Sequence, residues 1–241
     1  MTTSTTTAPP DSIRLQIIDK STPQSTFTDL FYLLTAAFGD SGPIWDHMYP
    51  PPRPSLEKQA AIGGLQHALD AGKPNVLFVL AVGSFPDGQE RTLGMAVWGK
   101  PGYRYNPLSE ETMTQAQKDA FEGYDLKFRN EWKGTSQRYR DQLMGDEPYW
   151  YMSGLAVHPS YQKYKIGSTL LDHGLAIADK ENLPVLLESS VAGKRLYESR
   201  KFVKELEYAN CAGWEGMADM RFPLYKRPAQ VQGAVIANGD S

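Results

Sequence analysis

Residues 155–167 read Leu-Ala-Val-His-Pro-Ser-Tyr-Gln-Lys-Tyr-Lys-Ile-Gly, and this stretch decides the fold of the chain. The apolar residues up to Val157 predict a strand, the polar residues after it predict a turn, and a helical pattern begins near Ile166. The first N–H groups of a helix have no partner inside the helix, and the helix dipole adds partial positive charge there. A strand, a turn and a helix start in this order therefore predict a phosphate-binding loop.

Further motifs stand on both sides of this loop. The strand ends in the pattern Leu-x-Val-x-Pro, and the loop reads Gln-Lys-Tyr-Lys-Ile-Gly over 162–167. Downstream come Ala178-Asp179, Pro184 to Ser190, Ala192-Gly193-Lys194-Arg195-Leu196-Tyr197 and Lys201-Phe202. In this order, residues 150–203 resemble the acetyl-coenzyme A-binding core of the GNAT superfamily of N-acetyltransferases. The segment around Leu187-Glu188-Ser189-Ser190 is similar to the branch that contains the puromycin-type antibiotic acetyltransferases.

The resemblance implies a single α/β domain whose mixed, mostly antiparallel sheet is splayed between strands 4 and 5 and flanked by helices. It also implies acetyl-coenzyme A as co-substrate, with the backbone at Ala156 and Val157 bonding the acetyl and pantetheine groups. The residues expected at the cofactor are Leu155, Ala156, Val157, Gln162, Lys163, Tyr164, Lys165, Ile166, Gly167, Ser168, Thr169 and Tyr197.

Two residues are candidates for acid–base chemistry. Tyr197 falls on the family's tyrosine position, and a phenol is protonated at neutral pH, so it can return a proton to the departing thiolate. Glu188 matches the branch motif and is the candidate base or acceptor contact, with a purely structural role as the alternative. Asp146 and Glu147 are second choices for the base, and a water relay without any single base is a further possibility.

The chain departs from the family pattern at two glycines. Lys165 stands where the loop has its first glycine, and Lys201 stands where a glycine precedes the final Phe. Glycine is favoured where φ is positive or a ligand comes close to the backbone, so a side chain at either place costs ~1 kcal/mol. Lys165 has the option of compensating by placing its ammonium near the pyrophosphate.

Composition excludes several other classes of protein. The net charge is −3, which argues against nucleic acid or anionic membrane as a partner. The four histidines form no cluster with metal-ligand spacing, so no metal is expected. The single cysteine, Cys211, excludes an internal disulfide and favours a reducing compartment, and no signal sequence is recognisable. A cytoplasmic protein is the expectation.

The chain predicts one domain, 11–227, between disordered tails at 1–10 and 228–241. Periodicity predicts strands at 13–17, 76–82, 93–98, 149–157, 184–187, 202–208 and 217–225, and helices at 26–38, 56–72, 166–181 and 192–200. A loop is expected at 39–54, which holds five prolines.

Residues 99–148 are an insertion rich in aromatic residues. Phe121, Tyr124 and Phe128 have the spacing i, i+3, i+7, which predicts one face of one helix. These aromatic side chains are either core residues or the wall of an acceptor pocket.

The sequence therefore predicts an acetyl-coenzyme A-dependent N-acetyltransferase whose acceptor, a small-molecule amine, attacks the thioester directly. Two alternatives stay open: an acyl-coenzyme A-binding or sensing module that has lost catalysis, and a peptide or protein N-acetyltransferase. The sequence leaves the oligomeric state and the identity of the acceptor open.

Overall fold

The computed structural model of the protein describes residues 8–39 and 42–230. The strands are β1 Ser12–Ile18, β2 Val76–Ser84, β3 Glu90–Gly99, β4 Trp150–Val157, β5 Val185–Glu188, β6 Val203–Ala209 and β7 Arg221–Arg227. The helices are α1 Gln24–Phe38, α2 Pro43–Met48, α3 Leu56–Ala71, α4 Gln115–Ala120, α5 Leu126–Met144, α6 Ile166–Lys180 and α7 Lys194–Glu198. The predicted tails lie mainly outside the described residues.

The seven strands form one sheet in the order β1-β2-β3-β4-β5-β7-β6. Strands β4 and β5 are parallel, and every other neighbouring pair is antiparallel. The predicted α/β fold with a mixed, mostly antiparallel sheet is confirmed.

A β-bulge in β4 explains why the sheet opens between β4 and β5. Val97 pairs with Gly154 and Trp98 pairs with Met152, so Ser153 is an extra residue in β4. A bulge bends its strand and interrupts the ladder. Pairing of β4 with β5 ends at Met152, the residue before the bulge, whereas pairing with β3 continues to Val157. The two strands therefore separate where the sequence predicted the splay.

The helices cover the two faces of the sheet. On one, the α6 face, the apolar stripe of α6 packs against Trp98, Trp150 and Met152; its residues in this cluster are Ile166, Leu170, Leu171, Leu175 and Ala178. On the other, the α5 face, α1 packs over β2 and β3, and α5 packs over Tyr151 and Leu186. Because side chains alternate along a strand, Trp150 and Tyr151 point to opposite faces.

Two predicted elements before β4 differ from the structure. The expected loop 39–54 contains α2, because Pro43 occupies the first turn of a helix, where its missing N–H costs no hydrogen bond. Phe121, Tyr124 and Phe128 do not share a helix face. Gly123 has φ +80°, and the Asp125 side chain caps α5 by accepting a hydrogen bond from the N–H of Phe128 (2.8 Å). All three aromatic side chains are buried.

The C-terminal elements differ mainly in their bounds. α7 is shorter than expected, and β7 begins at Arg221, four residues after the predicted start at Met217. Residues 210–220 form a turn-rich segment instead, in which Met217 is buried beside Phe128 and Cys211. Apolar composition suggested a strand there, but the side chain of Met217 packs into a cluster formed with α5. No described helix is long and apolar enough to cross a membrane.

Candidate active site

The loop between β4 and α6 carries a row of free backbone donors. After a 3₁₀ turn at Pro159–Tyr161, Lys163 has φ +76° and Lys165 has φ +61°, and Lys165 is the N-cap residue of α6. Among the described residues, no acceptor bonds the N–H groups from Lys163 to Ser168, and the first one bonded is that of Thr169, to the Lys165 carbonyl (2.9 Å). Consecutive N–H groups at the positive end of a helix favour an anion.

The side chains of the loop leave these donors accessible. Gln162, Lys163, Tyr164, Lys165 and Thr169 are exposed, and Ser168 and Gly167 are partly exposed. Ile166, by contrast, is buried against the sheet and holds the start of the helix in place.

Gly167 lies between the end of β4 and helix α7. A methyl group at Gly167 would lie 3.5 Å from Val157 and 3.7 Å from Leu196, both ordinary contacts. The structure thus brings together the strand end, the loop and α7, three elements that the sequence motifs named separately.

The open edge of β4 carries unpaired backbone groups. The N–H of His158 bonds the carbonyl of Leu93 in β3 (2.9 Å), and the Ala156 carbonyl is also directed towards β3, beside Gly94. Backbone groups alternate in direction along a strand. The backbone of Leu155 and Val157 therefore faces the gap towards β5, whereas that of Ala156 belongs to the β3 ladder.

Tyr197 lies on the α6 face, in the same apolar cluster as Ile166 and Leu187. Its ring packs edge-on against Phe202, at 5.9 Å between centroids, and against Gly193, where a methyl group would lie only 2.6 Å from the ring. No described residue hydrogen-bonds its hydroxyl. Burial raises the pKa of Tyr197 to about 12, so the hydroxyl keeps its proton throughout the neutral range.

Glu188 lies on the opposite face and is the centre of a hydrogen-bonded cluster. Oε1 accepts from Ser136 (2.5 Å), Tyr208 (3.1 Å) and Arg140 (3.4 Å), and Oε2 accepts from the Tyr151 hydroxyl (2.7 Å). An ionised carboxylate has about four acceptor positions, and Glu188 has four donors, three of them on Oε1.

The surroundings of Glu188 are buried and charge-compensated. Only 2% of the Arg140 side chain is exposed, and its guanidinium stacks 3.6 Å from the centre of the Tyr151 ring. Burial, and secondly the Glu188 charge, raise the pKa of both Tyr151 and Tyr208. Both phenols therefore stay protonated and donate to the carboxylate.

Sequence reasoning missed three members of this cluster: Ser136, Arg140 and Tyr208. Ser136 and Arg140 are four residues apart on α5, a spacing that puts them on one helix face, and this was the available signal. The second-choice bases, Asp146 and Glu147, are exposed before the start of β4, at the end of that strand away from the loop. Within 8–39 and 42–230, no group of His, Cys, Asp and Glu side chains has the arrangement of a metal site.

Comparison with known proteins agrees with this architecture. Residues 126–202 match the model of the acetyltransferase (GNAT) family. No curated protein sequence matches the chain.

Several solved structures share the fold at low sequence identity. A Corynebacterium glutamicum protein described as histone acetyltransferase HPA2 and related acetyltransferase is 19% identical, with a TM-score of 0.55 over 92% of this chain and 99% of its own. Mosquito arylalkylamine N-acetyltransferase like 5b is 16% identical, with a TM-score of 0.57 over 90% and 100%. Drosophila melanogaster polyamine N-acetyltransferase is 14% identical, with a TM-score of 0.56 over 89% and 98%.

At these identities the structural likeness is evidence for the fold alone. The family match covers α5, β4, the loop, α6, β5 and α7, which are the elements that form the candidate site. Residues 126–202 are therefore similar to the GNAT acetyltransferase family, and the seven-stranded sheet shares the fold of the compared structures.

Proposed function

We propose that the protein is an acetyl-coenzyme A-dependent N-acetyltransferase that transfers the acetyl group to a small-molecule amine by direct attack of the amine on the thioester. The observation that carries this proposal is the row of unpartnered N–H groups from Lys163 to Ser168, next to the gap between β4 and β5. The N–H groups are donors of the kind that a pyrophosphate needs, and the gap is a space of the kind that the thioester arm of the cofactor needs.

The residues present fit the cofactor. The N–H groups of the loop supply donors for a pyrophosphate, and Lys163 and Lys165 add positive charge. The backbone of Leu155 and Val157 supplies donors and acceptors for the pantetheine amides in the gap. Preorganised N–H groups of this kind also polarise a thioester carbonyl without any particular side chain.

We assign the proton donor for the thiolate to Tyr197, because its hydroxyl has no competing partner among the described residues and stays protonated. Glu188 has four donors already, so we assign it to ordering the acceptor side of the gap through α5, β4 and β6. The amine proton then leaves through water, the relay that the sequence left open.

The acceptor class rests on two kinds of support. The Leu-Glu-Ser-Ser motif at 187–190 resembles the puromycin-type branch, and two of the compared structures are named for arylalkylamine and polyamine acetylation. A peptide or protein acceptor and a non-catalytic sensing role are the competing functions. The cytoplasmic location stays a prediction from composition.

The binding step is tested with a charge substitution in the loop. Acetyl-coenzyme A at about 100 times its dissociation constant should stabilise the protein by roughly 2.7 kcal/mol, measured as a thermal shift. Gly167→Glu should abolish the shift, since a carboxylate would both fill the space and repel phosphate. Gly167→Ala is the matched control, because its methyl group would make only ordinary contacts. The absence of any shift in the unmodified protein contradicts the proposal.

Catalysis is tested separately by following coenzyme A release with polyamines, arylalkylamines, amino acids, aminonucleosides and peptides. Turnover of a small amine supports the proposed N-acetyltransferase activity. A thermal shift without turnover of any amine identifies the sensing module, and turnover of peptides alone identifies a peptide N-acetyltransferase.

A further inference from the structure

Helix α5 presents a line of cations to the α5 face of the sheet. Arg129, Lys133, Ser136 and Arg140 follow one another at intervals of four, three and four residues, which is one face of a helix. Arg129, Ser136 and Arg140 are buried on this face, and Lys133, between them, is half-buried.

The two arginines already have partners. Arg129 donates to Gln66 Oε1 (3.1 Å) and to the Tyr105 hydroxyl (2.6 Å). Arg140 donates to Ser136, to Gln137 and to Glu188. Their positive charges and donors are committed to holding α5 against its neighbours.

Lys133 differs from both, because its ammonium forms no ion pair and no hydrogen bond with any described residue. The carboxylates near this face are both engaged: Glu188 by its four donors, and Asp70 by Lys73 (2.6 Å). Burial, and secondly the charge of Arg129, lower the pKa of Lys133. An anion beside Lys133 would offset both effects.

The position of Lys133 is on the side from which an acceptor must come. The loop and Tyr197 lie on the α6 face, so under the proposed function the cofactor takes that side and leaves the α5 face to the acceptor. Ser136, one turn beyond Lys133 on α5, donates to Glu188, and Glu188 ends β5 opposite the bulge at Ser153. Lys133 is thus about one helical turn, roughly 5 Å along the axis, from the residues at the edge of the gap.

We propose that the acceptor is an amine that carries a carboxylate, and that the Lys133 ammonium binds this carboxylate on the α5 face. The inference rests on the proposed function, since it assigns the acceptor class at the same site. On this face of α5, Lys133 offers one ammonium that has no partner among the described residues, and one positive charge matches a monoanion such as a carboxylate better than a phosphate dianion. The same group of cations disfavours an acceptor with several positive charges, such as a polyamine.

The test compares acceptors that differ only in the carboxylate: phenylalanine with phenethylamine, tyrosine with tyramine, histidine with histamine, and lysine with cadaverine. We expect kcat/KM to be about 10- to 100-fold higher for the amino acid in at least one pair, because a hydrogen bond to a charged group contributes a factor of this size. Lys133→Met keeps the aliphatic stem and should remove the preference by slowing the amino acid only. Lys127→Met, on the exposed side of α5, should leave it unchanged.

A second measurement does not depend on turnover. Calorimetry in the presence of coenzyme A compares the binding of N-acetylphenylalanine with that of N-acetylphenethylamine. The compound with the carboxylate, N-acetylphenylalanine, should bind at least about 10-fold more tightly. Lys133→Met should remove this difference, and Lys133→Arg should keep it. If no amine is acetylated but this difference in binding is present, the result contradicts the proposed acetyltransferase activity and supports the carboxylate site at Lys133. Equal binding of the two compounds, binding of neither, or equal turnover within every pair overturns the inference.

Discussion

Three lysines have backbone conformations that glycine adopts more easily, and two of them stand where the sequence motif has glycine. Lys165 has φ +61° and Lys201 has φ +66°, the two positions at which the sequence motif led us to expect glycine. A residue with a side chain in the left-handed region costs the folded state roughly 1–2 kcal/mol. Glycine avoids this cost, but its greater freedom in the unfolded chain cancels part of the gain. The sequence motif therefore indicates backbone strain at Lys165 and Lys201, and the positive φ angles of both residues agree with it.

We expect Lys201→Gly and Lys165→Gly each to raise the free energy of unfolding by ~0.5–1 kcal/mol, measured by urea denaturation. Lys180→Gly, at the end of helix α6, is the control and should lower it by a similar amount, since glycine is unfavourable in a helix. A loss of stability in the first two variants would show that the lysine side chains contribute more than the strain costs.

Further substitutions at Lys165 test whether its charge compensates for the missing glycine of the loop. Lys165→Ala should weaken coenzyme A binding, and more so at low salt, because exposed charges are screened over about 10 Å at 0.1 M. Calorimetry at two ionic strengths measures the effect. Tighter binding by Lys165→Gly at both ionic strengths would mean that the lysine only obstructs the loop.

Tyr197 has the simplest chemistry of the candidate residues. Tyr197→Phe removes a hydroxyl that bonds no described residue, so folding and acetyl-coenzyme A affinity should be nearly unchanged. Turnover should fall by ~100- to 10,000-fold if the hydroxyl supplies the proton. With the pKa of Tyr197 at about 12, its ionisation should also leave the rate unaffected between pH 7 and about pH 10. Unchanged turnover, with chemistry rate-limiting, would make Tyr197 a packing residue.

Among the secondary-structure elements, the Glu188 cluster is a polar connection that joins several of them. It joins α5 through Ser136 and Arg140 to β4 through Tyr151 and to β6 through Tyr208. Removing one partner of a buried ion pair leaves the other charge uncompensated, which costs more than replacing both. This cluster holds α5 over the end of β5, where the gap in the sheet begins.

Glu188→Gln should therefore lower the free energy of unfolding by about 3 kcal/mol. Arg140→Met combined with Glu188→Gln should cost less than the sum of the single variants by ~1–3 kcal/mol, measured as a double-mutant cycle in urea. Additive effects would contradict the pairing. Parental stability together with a flattened acidic limb of the pH–rate profile would instead identify Glu188 as the base.

Considered as a whole, the molecule buries several tyrosines. Burial raises the pKa of Tyr103 and Tyr197 to about 12, and it also raises the pKa of Tyr49, Tyr151 and Tyr208. The unfolded chain releases these protons near pH 10, whereas the folded protein keeps them. The folded state then binds more protons than the unfolded state, so stability falls as pH rises.

The stability contributed by these groups should be complete below pH 10 and should decline between about pH 10 and pH 12. Urea denaturation at a series of pH values, followed together with tyrosinate absorbance, measures this decline. Tyr197→Phe removes one of the groups and should make the decline less steep. Tyrosine ionisation in the folded protein near pH 10, before unfolding, would contradict the proposed burial.

The sequence alone determined the features that depend on neighbouring residues. Periodicity and turn chemistry act over a few residues, and they predict helices α3 and α6, strands β2 and β3, and the loop at 162–167. The same locality explains the errors. In the insertion, Phe121, Tyr124 and Phe128 have helical spacing although a turn at Gly123 interrupts them. Phe121 and Tyr124 are buried in one cluster and Phe128 in another, and this burial produces the same spacing as a single helix.

Only the tertiary structure decided the features that depend on distant residues. The bulge at Ser153 is defined by the register against β3, and the Glu188 cluster joins positions 136, 140, 151, 188 and 208, which are brought together by the sheet and α5. Whether a carboxylate is a free base or a hydrogen-bonded acceptor, and whether a lysine such as Lys133 has a partner, depends on these contacts. Residue identity cannot supply that information, because hydrogen bonds across the sheet leave no pattern in the neighbouring sequence.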